Sequence, residues 1–190
     1  MAKMLLIVDP QIDFINGSLP VPLAAEAMNE LASYLKVVSG MYDVKVVSVD
    51  FHPWNHCSFK EDGGEWPAHC IGHTTGAAIW PTLVEPVTKT GGPVKFIRKG
   101  EDEKKEEYSL FSCDANSQTF KSIVNDYSIT EIDVCGIVRE ICVMNTIKDL
   151  HAQYPNMKVN VLMQYTPSLD GGMTFAKYLD ENREWLTPRV

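Results

Sequence analysis

Hydrophobic positions along this chain fall into two alternating patterns. Met4 to Val8 is a short unbroken apolar run, whereas Leu23 to Val38 places leucines, alanines and a methionine at helical spacing. The first suits a strand buried on both faces and the second an amphipathic helix, so together they predict a βα unit. The alternation continues. β-Branched Val44 to Val49 predicts a second strand, Val94 to Arg98 a third, Asn116 to Tyr127 a helix and Ile132 to Gly136 a fourth strand. Ile141 to Gln153 then predicts a helix, Val159 to Met163 a fifth strand and Met173 to Trp185 a last helix. From Asp50 to Gly92 the pattern breaks into irregular text rich in Gly, Pro, His and Trp, the kind of long loop that usually carries function. Strands alternating with helices predict an α/β protein: a three-layer α/β/α, Rossmann-like fold with a central parallel sheet flanked by helices. A length of 190 residues suits one domain over residues 1–190.

Composition narrows the partners. No stretch approaches the roughly 18 uninterrupted apolar residues of a membrane span. The first apolar run ends at Asp9 without a small-residue cleavage site, so it reads as a strand and not as a signal peptide, which implies a cytoplasmic protein. A formal charge of −8 would repel a phosphate backbone, and no basic stripe offsets it, so nucleic acid is not expected as a partner. A homo-oligomer stays open. The five cysteines are an odd number without a CxxC pair, which argues against a disulfide framework or a zinc ribbon and for free thiols. Cys57, Cys70, Cys113 and Cys135 read as small buried hydrophobes. The charge run Lys99 to Glu107, with its first residue set apart, reads as a solvated turn or helix, and Ser168, lacking a GxSxG context, as ordinary loop chemistry.

Candidate chemistry gathers at the predicted strand ends. Four of the five histidines fall between His52 and His73, opening with Asp50-Phe-His52-Pro-Trp-Asn-His56 directly after the second strand, which reads as a metal site. In an open parallel sheet the carboxyl ends of the strands share one crevice, so Asp9, Lys99 and Cys142 can meet despite their separation. Cys142 would open a helix, and the partial positive charge there is expected to lower its thiol pKa. Taken singly, each has a plain alternative: a turn aspartate, a solvated lysine, a core cysteine.

Five ordered segments resemble the nicotinamidases, within the isochorismatase-like cysteine hydrolases. They are Ile7-Val-Asp9-Pro-Gln11-Ile-Asp13-Phe14, Asp50 to Phe59, Trp66-Pro-Ala-His69-Cys70, Arg98-Lys99-Gly100 and Gly136 to Cys142. The resemblance implies a catalytic triad of Asp9, Lys99 and Cys142, with an oxyanion hole from the backbone N–H groups of Val138 and Cys142 and a cis peptide at Ile137-Val138. It also implies a divalent metal, Zn²⁺ foremost with Fe²⁺ or Mn²⁺ as alternatives, on Asp50, His52 and His69. Phe14 and Trp66, with Tyr108 more weakly, would pack against the ring of a small carboxamide, hydrolysed through a cysteine thioester in NAD salvage. His56, or an acidic Glu61, Asp62 or Glu65, is weighed as a fourth ligand. His73 and His151 are read as a loop residue and part of an exposed helical face. Where many relatives carry TDYC or TDHC, this chain has Arg139, Glu140 and Ile141 before the cysteine, expected at the pocket rim.

Two other readings stand beside this one. The first is an isochorismatase-like amidohydrolase for another small amide. The second is a non-enzymatic zinc-stabilised module, in which the histidine cluster only ties down the loop. The strand-end set of Asp9, Lys99 and Cys142 argues against the module, which has no use for it.

Overall fold

The computed structural model describes residues 2–189. In chain order the elements are β1 (Ala2–Val8), α1 (Ile12–Ile15), α2 (Ala24–Val37), β2 (Val44–Asp50), α3 (Pro81–Lys89) and β3 (Val94–Lys99). There follow α4 (Asp114–Asp126), β4 (Ile129–Gly136), α5 (Met144–Gln153), β5 (Lys158–Leu162), α6 (Met173–Glu181) and β6 (Leu186–Arg189). The six strands form one sheet in the order β3-β2-β1-β4-β5-β6, and every neighbouring pair is parallel.

The continuous apolar text of β1 has its reason here. Met4, Leu6 and Val8 point into one core with Phe120, Ile147 and Phe175, while Leu5 and Ile7 point into the other with Met28, Leu31 and Leu35. All five β1 side chains are fully buried, each contributing about 1.5–3 kcal/mol of transfer free energy. Successive strand side chains face opposite ways, so a strand covered on both faces favours apolar residues at every position.

Three elements, α3, α6 and β6, differ from the sequence reading, and the short α1 lies in what reads as a loop. The Asp50–Gly92 stretch contains α3, a helix obscured by its own prolines: Pro81 sits in its first turn, where a missing N–H costs nothing, and Pro86 lies inside it. Asn29 of α2 pins it by accepting from Trp80 Nε1 (2.9 Å) and Thr82 Oγ1 (2.7 Å). The last helix stops at Glu181 instead of Trp185, and the chain continues into β6, a sixth strand that the sequence pattern did not single out. β6 lies at the sheet edge, where Pro188 is tolerated. Among the described residues no helix is long and apolar enough to cross a membrane.

Strand order reverses at β1, whose neighbours β2 and β4 lead to opposite edges, and the crevice outside the strand ends at such a point is where open α/β sheets bind ligands. The register brings the ends together: Val8 is opposite Ser48 on β2 and Gly136 on β4, and Asp50 is opposite Lys99.

Candidate active site

Asp9 leaves β1 in the left-handed region (φ 47°), a conformation costly for a non-glycine residue and held here by its neighbours. Its N–H donates to the Ser48 carbonyl (3.0 Å), and Ser48 Oγ donates to its Oδ1 (2.7 Å). Its Oδ2 faces Lys99 Nζ at 2.9 Å. The same ammonium pairs tightly with Asp50 Oδ1, donates to the Glu107 carbonyl (3.2 Å) and lies 3.8 Å from Cys142 Sγ. Asp9, Asp50 and Cys142 each place a ligand-type atom within 4.8 Å of the others. The structure thus brings Asp9, Lys99 and Cys142 into one buried cluster.

Two carboxylates share one ammonium there, which sets the protonation directions. Burial opposes the charge on Lys99, but Asp50 and Asp9 outweigh it and hold the amine protonated well above its ordinary range. Asp9 carries the surplus: burial raises its carboxyl, Lys99 opposes the shift and Asp50 adds to it. Cys142 departs from the sequence expectation of a lowered thiol. Burial pushes it well above the usual value, Lys99 opposes this and Asp9 and Asp50 reinforce it, so the resting residue is a protonated thiol.

The loop before Cys142 has unusual backbone. Gly136 adopts φ +115°, and a Cβ there would collide with the Val8 backbone, so no other residue fits the crossing from β4 over β1. The Ile137-Val138 peptide is cis. One π-helical turn, Arg139–Val143, then carries Cys142 into α5. Ile137, Arg139, Ile141 and Val143 direct their N–H groups to Val8, Pro167, Val138 and Val138 carbonyls, respectively, whereas Val138 N–H meets no backbone acceptor among the described residues.

Beside this cluster lie Asp50, His52 and His69, all buried, with one ligand-type atom from each within 4.8 Å of the others. His52 Nδ1 meets the Gly100 carbonyl (2.9 Å) and His69 Nδ1 the Pro67 carbonyl (2.8 Å), an arrangement that turns the opposite ring nitrogen inward as a ligand. His52 Nε2 is buried without a hydrogen-bond partner, 3.8 Å from Asp50 Oδ2. Burial, then the neighbouring His56, lowers the His52 pKa to about 3, so its imidazole is neutral and its lone pair free to coordinate. The donor set fits a divalent cation, with Asp50, His52 and His69 as the residues that could hold it.

The other ligand candidates lie elsewhere. His56 packs against His52 in a tilted arrangement with centroids 4.1 Å apart, but its Nδ1 engages Ser58 Oγ (2.7 Å) and its Nε2 the Lys105 carbonyl (3.1 Å). Glu61, Asp62 and Glu65 are exposed and outside the cluster. His73 is a loop residue packed on Phe51, and His151, half-buried instead of exposed, stacks on Trp185 at 3.6 Å.

Residues with no role in the sequence reading turn out to hold the frame. Gln11 clasps the backbone of Asp50, donating to its carbonyl (2.7 Å) and accepting its N–H (2.7 Å). Asp13 Oδ2 accepts Cys70 N–H (2.7 Å) and so anchors the segment bearing His69. Both lie in the Asp9-Pro-Gln11-Ile-Asp13 motif, whose polar residues at a buried strand end were the available signal. The Lys99–Glu107 run is exposed from Glu101 to Lys105, in keeping with a solvated reading, but Glu107 at its end departs from it. It is buried, and its carboxylate takes the Gly100 N–H (3.0 Å) and Lys105 Nζ (3.1 Å), fastening the run over the strand end.

A pocket opens onto both clusters. Phe14, Trp66 and Tyr108 line it together with His69, Val138 and Cys142. Trp66 Nε1 donates to Tyr108 Oη (3.1 Å), fixing the two rings relative to one another. Its floor thus places a thiol and an imidazole–carboxylate group beneath an aromatic and aliphatic wall.

This fold and this convergence at the strand ends define a class. The chain belongs to the isochorismatase family, whose Isochorismatase domain matches residues 3–159. Within that family it is similar to the nicotinamidase/pyrazinamidase of Mycobacterium tuberculosis, at 31% identity over 190 residues, covering 95% of this chain and 94% of the relative. Its structure is similar to that of the pyrazinamidase of Pyrococcus horikoshii in complex with zinc (TM-score 0.83, 26% identity, 100% of this chain and 99% of that one). It also resembles PnC1 from L. infantum in complex with nicotinate (TM-score 0.84, 25% identity, 99% and 92% covered).

Proposed function

We propose that this chain is a metal-dependent nicotinamidase that converts nicotinamide to nicotinate and ammonia, the amide-cleaving step of NAD salvage. The observation that carries the reading is the single pocket where Phe14, Trp66 and Tyr108 face both Cys142 and the Asp50/His69 group. Aromatic side chains, a nucleophile and metal-type ligands thus line one pocket, as a small flat carboxamide would need. The relatives support the substrate class, since they include a nicotinamidase/pyrazinamidase and a structure holding nicotinate.

The residues perform the reaction in two halves. Asp9 takes the proton from Cys142 Sγ, and the thiolate attacks the carboxamide carbon. The developing oxyanion is received by the N–H groups of Val138 and Cys142. As the C–N bond breaks, Asp9 gives its proton to the departing nitrogen, ammonia leaves, and a thioester remains on Cys142. Asp9 then takes a proton from water, whose oxygen attacks the thioester carbon. The C–S bond breaks, the proton on Asp9 returns to Sγ, and the acid formed, which keeps the second proton of the water, leaves and ionises to nicotinate. Lys99 stabilises the anionic carboxylate and thiolate throughout. A raised Asp9 pKa suits this shuttle, because a carboxylate that binds a proton more readily than a free one is a better acceptor for the thiol proton. A divalent cation, zinc foremost, on Asp50, His52 and His69 would bind the pyridine nitrogen and orient the ring. One carboxylate with two imidazoles is a donor set zinc accepts, and the Pyrococcus horikoshii relative is solved with zinc.

The test is ammonia release from nicotinamide and from other small carboxamides, with and without chelator, alongside the metal content of the purified protein. Cys142→Ala should abolish release and keep its metal. Turnover by that variant would overturn the mechanism, and release from another amide alone would reassign the substrate.

A further inference from the structure

Arg139 and Glu140 occupy the turn that presents Cys142, yet neither points to the nucleophile. Arg139 Nε donates to the Thr166 carbonyl (2.6 Å) and Oγ1 (3.1 Å), its Nη2 to the Met163 carbonyl (2.8 Å), and its N–H to the Pro167 carbonyl (3.0 Å). Glu140 Oε1 accepts the N–H groups of Leu169 (2.6 Å) and Asp170 (3.1 Å). Two consecutive side chains therefore grip the whole β5–α6 loop, Arg139 by its carbonyls and Glu140 by its amides. These are charge-assisted bonds, among the stronger ones available to a loop. Gly172 completes the seat: a Cβ there would meet Arg139 Nη1 at 2.8 Å. At the far end of the grip is Leu169, a leucine 44% exposed that nevertheless lines the pocket together with Ile141 and Cys142. A half-exposed side chain has little packing to hold it, so the bond to its own N–H does much to fix its place.

We propose that Arg139 and Glu140 are positioning residues which hold Leu169 as the outer wall of the pocket, and that this wall sets the size of the ring admitted to Cys142. The ring-carboxamide part rests on the amidohydrolase reading above; the clamp and the wall do not. Because the clamp grows from the same turn as the nucleophile, the distance between wall and thiol is set locally and not through the sheet. Leu169 thus acts on entry and ring position, and its removal should widen what is accepted before it slows the chemistry.

The test uses the full chain and two thiol reagents of different bulk, iodoacetamide and N-phenylmaleimide, with modification followed by mass spectrometry at Cys142. Leu169→Ala and Glu140→Ala should each raise the rate ratio of the bulky to the small reagent about tenfold, the scale on which a pocket discriminates apolar groups. Glu140→Gln, which keeps one acceptor oxygen, should stay close to the wild type. Amide hydrogen exchange at Leu169 and Asp170 should quicken about tenfold in Glu140→Ala, as expected on losing bonds to a charged acceptor. With nicotinamide, Glu140→Ala should raise KM more than it lowers kcat. Leu169 is surface-exposed enough that its alanine variant tests the wall even if Glu140→Ala fails to fold. An unchanged reagent ratio in Leu169→Ala, or unchanged exchange in a folded Glu140→Ala, overturns the proposal. If the wild type releases no ammonia from nicotinamide, the proposed function falls while the reagent ratio still decides the clamp.

Discussion

Gly100→Ala separates two costs that normally arrive together. Gly100 follows β3 with φ +70°, receives His52 Nδ1 on its carbonyl, and would place an alanine Cβ 2.6 Å from that nitrogen. An alanine in the left-handed region costs about 1–2 kcal/mol. At about 2–4 °C per kcal/mol for a chain of this size, the backbone term alone lowers Tm by about 2–8 °C. Gly63→Ala is the matching control: its φ is +92° and a Cβ there meets nothing within 4 Å, so it pays the backbone term only. What Gly100→Ala adds is displacement of the His52 ring, and disturbing the group that orients a metal-bound histidine typically costs 10–100-fold in metal affinity, about 1.4–2.7 kcal/mol. Thermal melts of wild type, Gly63→Ala and Gly100→Ala, with zinc titrations followed by metal analysis, read both terms. Gly63→Ala should lose a few degrees and keep its metal; Gly100→Ala should lose at least as much and bind zinc 10–100-fold more weakly. Equal melting losses with equal zinc affinity would show that Gly100 serves the backbone alone and that His52 is not held in place for coordination.

Lys99→Met leaves two buried carboxylates without their ammonium, and breaking a buried pair costs about 3–5 kcal/mol, so urea unfolding should shift by that amount together with loss of turnover. Undiminished stability would mean Asp9 and Asp50 find other partners. Glu131, at the opposite end of the sheet, would be raised by burial, but bonds from Lys158, Asn160 and Lys3 hold its carboxyl down to about 2. A depressed folded-state pKa stabilises above the ordinary value of 4.5, and the benefit disappears as pH falls from there toward 2. Glu131→Gln should therefore be less stable than wild type in urea at pH 6, and the gap should close across that window; a constant gap would contradict the ion network.

Much of this was readable from residue patterning, for physical reasons that also explain the misses. The strands of a doubly covered sheet are mostly apolar and β-branched, so β1, β2, β4 and β5 announce themselves despite buried Lys45, Glu131, Asp133 and Asn160, and polar residues at strand ends stand out against that background. Asp9, Asp50 and Lys99 are legible in that way. α3 is not, because Pro81 and Pro86 mimic loop text while a helix of nine residues is stabilised by its packing on α2. β6 is hidden by its four-residue length and by Pro188. The direction of the Cys142 shift depends on burial beside two carboxylates, a three-dimensional sum in which the local helix end is the smaller influence. Likewise Arg139 and Glu140 look like rim residues in sequence, since nothing local shows that the chain returns past them at Met163 to Asp170.

Asp50 gives one oxygen to Lys99 and turns the other toward His52, so a single carboxylate belongs to both clusters. The two halves of the site are therefore not modules that can be exchanged. Grafting the Asp9, Lys99 and Cys142 set onto a scaffold without the histidine pair would require a substitute anion for the lysine. Stripping out the aspartate to abolish metal binding would remove that lysine's strongest partner at the same stroke. In a lineage, such a shared residue ties the two halves to a common fate, and drift toward a metal-free enzyme must begin by solving the lysine's problem first.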